Sequence, residues 1–273
     1  MPVLKIKRPK LMAVLNITPD SFSDAGKYND SEAAVRRALE LVAQGADVLD
    51  IGAESTRPGS TGVSPDEQLR RLLPVLHSFR KQAYTPVSID TQSASVATAC
   101  LDAGANIIND ISALRHDSAM ARALRPYDCP IILMHMQGTP LNMQDKPVYE
   151  NIVDEINQFF QERLRFCQES GIAAERLLLD PGIGFGKTLE HNLEILRRLE
   201  EFRVLKRPLV IGVSRKGFIG KLTDEPVPER RVAGSVAAGL LAALHGAAIL
   251  RVHDVAEHRA ALNVLDAICN PKN

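Results

Sequence analysis

Eight short apolar runs, each followed by a stretch of helical periodicity, predict an α/β protein of the (β/α)8, or TIM, barrel class. Two further observations agree. A glycine-led segment recurs as Gly45-Ala46-Asp47-Val48-Leu49-Asp50, Gly104-Ala105-Asn106-Ile107-Ile108-Asn109 and Gly246-Ala247-Ala248-Ile249-Leu250-Arg251. Each copy reads as a glycine ending a helix, a short turn, and a strand that meets a polar residue. The apolar runs also end in polar side chains, and a barrel carries its active site at that C-terminal rim of the strands. A chain of 273 residues suits one such barrel, and no Pro-, Gly- or Ser-rich linker divides it, so a single domain over 1–273 is expected.

The first run, 11–17, reaches Asn16 and opens a long polar loop, Asn16-Ile17-Thr18-Pro19-Asp20-Ser21-Phe22-Ser23-Asp24-Ala25-Gly26, ahead of a helix near 31–44. Phe22 is stranded in that loop, and an exposed aromatic needs something to cover. The second run, 48–53, carries Asp50 and leads into a second long loop, from Glu54 to Ser64, where Arg57 beside Thr56 could wrap an anion. A helix near 66–82 follows. Loops this long at a barrel rim serve as lids or binding loops.

Runs 86–90, 107–111 and 130–136 end at Asp90, at Asn109 with Asp110, and at His135; helices near 93–103, 117–125 and 150–170 follow them. The run 176–180 stops at Asp180 and enters Pro181-Gly182-Ile183-Gly184-Phe185-Gly186-Lys187-Thr188, then a helix near 189–200. Glycines let this turn bring backbone close to a ligand. A nucleotide phosphate loop would need glycine where Pro181 stands, so that reading is excluded, and Lys187 with Thr188 reads as a helix start. The run 208–214 leads to Arg215 and Lys216, with a helix near 229–245. The last run, 248–253, puts Arg251 and His253 on one face by strand alternation, ahead of a helix near 255–268.

Composition narrows the function. The 33 basic and 33 acidic residues cancel, which argues against a nucleic-acid groove or a basic membrane face. No apolar stretch is long enough to span a bilayer, and the basic start, 1–10, is followed by no apolar signal core. Cys100, Cys129, Cys167 and Cys269 have no paired spacing and read as free thiols of a reducing compartment. A cytoplasmic protein is expected.

At this point the residues resemble a known family, dihydropteroate synthase of folate biosynthesis. Seven spaced motifs carry the likeness across nearly the whole chain: the loop 16–24; Glu54-Ser55-Thr56-Arg57-Pro58-Gly59; Ser88-Ile89-Asp90-Thr91; Ile107-Ile108-Asn109-Asp110; Leu179-Asp180-Pro181-Gly182; Ser214-Arg215-Lys216; and Arg251-Val252-His253-Asp254. The resemblance implies a transferase, a sulfonamide target, that joins p-aminobenzoate to 6-hydroxymethyl-7,8-dihydropterin diphosphate and releases diphosphate and 7,8-dihydropteroate. It implies Mg2+, a homodimer, and a dissociative course in which diphosphate leaves before the amine attacks a pterin cation.

By that resemblance Asp90, Asn109, Asp180 and Lys216 line the pterin pocket, with Met134 and Phe185 as apolar walls. Carboxylates and amides at fixed depth can read the donor and acceptor edge of a flat pterin. Asp90 and Asp180 place negative charge where the cation develops. Arg251 and His253 would meet the diphosphate, and Asn16 would help hold Mg2+, which takes few protein ligands. Phe22 and Asp24 on the first loop, with Thr56 and Arg57 on the second, would close over the cation and exclude water. Arg57, Pro58, Lys216 and Gly217 would receive p-aminobenzoate.

Two positions depart from the family pattern. Gly217 stands where a serine hydroxyl would hold the p-aminobenzoate carboxylate, leaving backbone N–H groups at the next helix start to serve alone. Ala25 stands where glycine is usual, which stiffens the first loop. His135 matches no family role and reads as a supporting or core histidine; Asp110 and Glu54 read as caps or buttresses. Two other readings compete: a methyltetrahydrofolate methyltransferase passing methyl to a corrinoid on a similar pterin barrel, and a catalytically silent homologue. The Ser-Arg-Lys motif and the first loop favour the synthase over the methyltransferase.

Overall fold

Parallel strands buried on both faces need apolar residues all along, and the eight runs form eight such strands. The computed structural model describes residues 6–17, 27–54 and 62–271. The strands are β1 (Lys10–Asn16), β2 (Val48–Gly52), β3 (Val87–Asp90), β4 (Ile107–Asp110), β5 (Ile131–Met134), β6 (Leu177–Asp180), β7 (Val210–Ile211) and β8 (Ile249–Val252). All paired neighbours are parallel, in the order β6-β5-β4-β3-β2-β1-β8-β7. A parallel bridge from Leu179 to Leu209, with Leu179 N–H donating to Pro208 O at 3.0 Å, closes β6 onto the start of β7.

Alternation then sorts side chains between two cores. Leu11, Leu49, Ile89, Ile108, Leu133, Leu179 and Leu250 face outward into the main core beneath the helices. Met12, Val48, Ile132, Val210 and Ile249 form a separate cluster inside the barrel, with Ile107 and Leu178 packed against it. That cluster is the barrel floor.

The described helices are α1 (Lys27–Ala43), α2 (Pro65–Arg80), α3 (Ala94–Asp102), α4 (Met120–Leu124), α5 (Ile152–Glu169), α6 (Leu189–Arg197), α7 (Gly217–Thr223), α8 (Val232–Leu244) and α9 (Val255–Cys269). Their starts are locally encoded. Ser64 accepts from Glu67 N–H with Pro65 in the first turn of α2, Asn151 accepts from Asp154 N–H on α5, and Thr188 with His191 forms a capping box on α6. Gly45, Gly104 and Gly246, the glycines of the repeated segment, all have positive φ, near 103°, 99° and 92°. They end α1, α3 and α8 as the sequence suggests.

The structure trims several expectations. The run 208–214 yields only the two residues of β7, because the chain leaves the sheet to build the turn at Ser214 and Arg215, where Arg215 takes φ +59°. The pattern near 189–200 divides into α6 and a 3-10 segment, Leu199–Leu205, and that near 229–245 into a 3-10 turn, Pro228–Arg230, and α8. The region 117–125 holds only the five residues of α4, and α7 is a short helix that the eight-unit reading did not count. The four cysteines are buried and unpaired, as expected. None of the described helices is long and apolar enough to cross a membrane.

Candidate active site

Two residues beyond the floor, the inward positions of the even strands turn polar: Asp50 on β2, Asn109 on β4, Asp180 on β6 and Arg251 on β8, with Ser88 and Asp90 added by β3. Arg251 reaches across β1: its Nε donates to Asp50 Oδ2 at 2.6 Å and its Nη2 to Asp90 Oδ2 at 2.9 Å. Asn109 Nδ2 also donates to Asp50 Oδ2, at 3.2 Å. Asp50 is fully buried, yet its Oδ1 and the neighbouring Ser88 Oγ have no partner among the described residues. Burial lifts the Asp90 carboxyl to about 7 against the pull of Arg251, and the charges of Asp50, Asp110 and Glu54 add to the rise. The same two carboxylates hold the Arg251 guanidinium charged despite its burial.

The glycine-rich turn builds the next wall. Asp180 Oδ1 accepts from Gly182 N–H at 2.8 Å, and burial raises its carboxyl above the usual range. Gly182 has φ +71°, and a Cβ there would fall 2.0 Å from His135 O, so only glycine lets the turn lie on the tip of β5. The turn carries Phe185 under Lys216, whose Nζ sits 4.2 Å from the ring centroid. Phe185 also packs against the buried cluster of Ile111, Met134, Met136 and Met143. Burial and Arg251 bring the Lys216 ammonium down to about 8, while Asp180 and Asp90 oppose the fall.

At the third side, the turn after β7 is pinned to the end of β8. Arg215 makes a forked pair with Asp254, at 3.1 and 2.5 Å, and its own N–H donates to Ser235 Oγ at 2.8 Å. His253 N–H donates to Ser214 Oγ, which also lies 3.1 Å from the ring Nδ1. Burial, Arg251 and Arg215 depress the His253 imidazole to about 3, so it is neutral at physiological pH. Asn16 ends β1, and an ideal Cβ on Gly52 would lie 3.7 Å from Asn16 Oδ1 and 3.4 Å from Asp90 Cβ. Gly52 thus keeps Asn16 close beside Asp90. Gly217 opens α7 in the open, with nothing within 4 Å of a Cβ placed there.

The structure therefore brings together Asn16, Asp90, Asn109, Met134, Asp180, Phe185, Lys216, Arg251 and His253 at one end of the barrel. Phe22, Asp24, Thr56, Arg57 and Pro58 lie outside the described residues, as does Ala25. Asp110 is a buttress, accepting from Ser112 and Leu114, and Glu54 accepts from Val63 N–H and Gln68 Nε2. Thr188 caps α6 and Lys187 directly precedes it, as the sequence reads them; the structure adds that Lys187 is 3% exposed, with its Nζ against His135. Asp50 was visible as a polar strand residue, but nothing local in the sequence signalled its pairing with Arg251, 201 positions away.

The chain matches the pterin binding enzyme family over residues 12–253. It is 43% identical over 269 residues to the dihydropteroate synthase of Escherichia coli, an alignment covering 98% of this chain and 95% of that one. Among solved structures, the Xanthomonas albilineans dihydropteroate synthase with 4-aminobenzoic acid superposes with a TM-score of 0.92 at 46% identity, covering 97% of this chain and 95% of that chain. The Xanthomonas albilineans enzyme in complex with 7,8-dihydropteroate gives a TM-score of 0.88 at 42% identity, over 98% and 97% of the two chains.

Proposed function

The chain belongs to the dihydropteroate synthase family, and from that premise we propose how its barrel performs the transfer. It is a transferase that moves a pterinylmethyl group onto p-aminobenzoate, with 6-hydroxymethyl-7,8-dihydropterin diphosphate as donor and 7,8-dihydropteroate and diphosphate as products. The observation that carries the assignment of roles is the polar upper layer, with Asp90, Asn109 and Asp180 buried at the strand tips and Lys216 stacked on Phe185.

The pterin ring lies against Met134 and Phe185, and Asp180, Asn109, Asp90 and Lys216 read its edge. The bond from the exocyclic methylene to the diphosphate oxygen breaks, and its electron pair leaves with diphosphate. The Asp90 and Asp180 carboxylates face the ring as it becomes cationic. The amine nitrogen of p-aminobenzoate then forms the new C–N bond and loses one proton. Two guanidinium nitrogens of Arg251 are committed to Asp50 and Asp90, which leaves Nη1 for the diphosphate, while His253 serves as a neutral donor rather than a second cation.

Asn16 offers a hard amide oxygen beside Asp90, a donor that suits Mg2+. Bound there with the phosphate oxygens, Mg2+ would neutralise charge on the leaving diphosphate. Lys216 and the free N–H groups at the start of α7, at Gly217, would hold the p-aminobenzoate carboxylate. Phe22 and Asp24, with Thr56, Arg57 and Pro58, would act on the cation once diphosphate has left and exclude water from it. Phe22→Ala and Arg57→Ala are expected to cripple condensation while leaving dihydropterin diphosphate affinity largely intact. The protein acts in the cytoplasm as a homodimer, and the exposed Val264 and Ile268, one turn apart on α9, supply apolar surface for the partner copy.

The test is product formation from dihydropterin diphosphate and labelled p-aminobenzoate, with and without Mg2+. Labelled dihydropteroate and released diphosphate, both dependent on Mg2+, are expected. No product from folded protein would overturn the reading and send the chain to a corrinoid-dependent methyl-transfer assay.

A further inference from the structure

Among the described residues, Lys187 is the one buried ammonium that the transfer does not use. It is 3% exposed, and no carboxylate pairs with it among the described residues. Its three N–H donors meet three acceptors instead: Phe185 O at 2.9 Å, His135 Nδ1 at 3.1 Å and His135 O at 3.4 Å. His135 is itself fixed. Its N–H donates to Asp180 O at 2.9 Å, and its ring meets Phe159 edge-on at 4.9 Å. Burial, Lys187 and Arg115 hold the imidazole well below its ordinary pKa, so it is neutral and free to accept through Nδ1.

A buried charge without a partner ion costs stability, and an apolar residue could fill the same volume. What the ammonium adds is geometry. The turn has two positive-φ glycines, Gly182 and Gly184, ahead of Phe185 and one, Gly186, after it, so its own backbone preferences do not fix it. Lys187 ties the middle of that turn to the tip of β5. Other ties hold the flanks: Asn192 Oδ1 takes Gly184 N–H at 2.7 Å, and Tyr149 OH donates to Gly186 O at 2.9 Å. Among the described residues, Lys187 alone grips the carbonyl of Phe185, the residue whose ring faces Lys216.

We propose that Lys187 is a positioning residue for the transfer, clamping the glycine-rich turn onto His135 and so fixing the Phe185 ring in the pterin pocket. Its effect therefore belongs to the pterin substrate and not to p-aminobenzoate. The environment agrees with a positional role: burial brings the ammonium down to about 7, opposed by Asp180 and reinforced by Lys216. The group is thus held at a cost that a solvent-exposed lysine would not bear. The inference rests on the reading that the pterin lies against Phe185.

The experiment is a double-mutant cycle on the full-length enzyme with Lys187→Met and Phe185→Ala. It reads dihydropterin diphosphate affinity by calorimetry, and KM for p-aminobenzoate and kcat by turnover. Lys187→Met is expected to weaken pterin-diphosphate binding by on the order of tenfold and to leave KM for p-aminobenzoate within about twofold. In the Phe185→Ala background that loss should largely vanish, because the clamp acts through the missing ring. Additive losses, or an unchanged pterin affinity in folded Lys187→Met, would overturn the proposal. If Phe185→Ala alone leaves pterin affinity unchanged, the pocket assignment fails, which is a separate outcome. Should Lys187→Met not fold, His135→Ala removes one attachment and should show the same split at smaller amplitude; no change in pterin affinity there would equally overturn the clamp.

Discussion

The two ends of the barrel interior are built on the same strands and the same inward positions, yet by opposite physics. Met12, Val48, Ile107, Ile132, Leu178, Val210 and Ile249 fill the floor. One step along each strand, two residues on and about 6.6 Å higher, stand Val14, Asp50, Asn109, Met134, Asp180, Gly212 and Arg251. Floor residues need only each other's surfaces, since apolar burial has no direction. The upper layer holds carboxylates that need donors: Asp50 and Asp90 take theirs from strands far apart in sequence, and Asp180 takes Gly182 N–H from the adjoining turn. The lesson is that this barrel gathers stability at one end and spends it at the other, so substitutions at the two ends should fail in different assays.

The largest effect should come from the upper layer. Asp180→Asn keeps the size of the side chain and an acceptor for Gly182 N–H, but removes the charge that faces the substrate ring. Binding of dihydropterin diphosphate should fall by on the order of 100-fold, about 2.7 kcal/mol, as is ordinary for hydrogen bonds to a charged group. The melting temperature should hold or rise, because a buried carboxyl held above its ordinary range is relieved. Calorimetry against the pterin substrate checks it; unchanged affinity would place Asp180 outside the pocket.

The mirror experiment is Ile132→Ala in the floor, directly below Met134 on β5. Truncating a fully buried isoleucine should lower unfolding free energy by about 2–5 kcal/mol. Turnover per folded molecule should stay within about twofold of wild type. A proportionate loss of kcat/KM in the folded variant would show that the two ends are mechanically coupled and would break the comparison.

pH separates the ends again. Lys187 sits near 7, well below an ordinary lysine, so between pH 7 and 8.5 the unfolded chain holds a proton there that the folded chain has released. Its contribution therefore makes stability rise with pH across that window, by about 1.4 kcal/mol per unit. Lys216, near 8 and only half-buried, adds a smaller rise. Denaturant titrations should show a flatter slope for Lys187→Met than for wild type. Ile132→Ala should shift the whole curve down in parallel, since the cluster it packs in is apolar.

The same division explains what the sequence disclosed. The floor and the outer core were legible because parallel strands write themselves as apolar runs, and the polar tips marked the working end. Asn16, Asp90, Asn109, Asp180 and Lys216 fall at the end of the barrel where the runs predicted them. What periodicity cannot carry is partnership. It shows which face Arg251 takes but not that Asp50 and Asp90 receive it, because those contacts span 201 and 161 positions. The burial of Lys187 is hidden for the same reason: its neighbour Thr188 gives a strong local helix-start signal, while its acceptor His135 lies 52 positions back. β7 was overdrawn because Gly212, Val213 and Ser214 extend an apolar run although they have already left the sheet.

The smallest effect tests the rim rather than the layer beneath it. Gly217 is exposed, opens α7, and has open space where a Cβ would stand. Its serine variant should therefore fold without strain and add a hydroxyl beside the N–H groups assigned to the p-aminobenzoate carboxylate. A hydroxyl in water-exposed surroundings gains little net energy over the solvent it replaces. Gly217→Ser should lower KM for p-aminobenzoate by about two- to threefold and leave kcat, pterin affinity and melting temperature unchanged. An unchanged KM would mean that the backbone at the start of α7 already satisfies the carboxylate, and that the departure at this position is neutral. A change in pterin affinity instead would mean that rim and upper layer are not independent, because Lys216 immediately precedes Gly217 and stacks on Phe185.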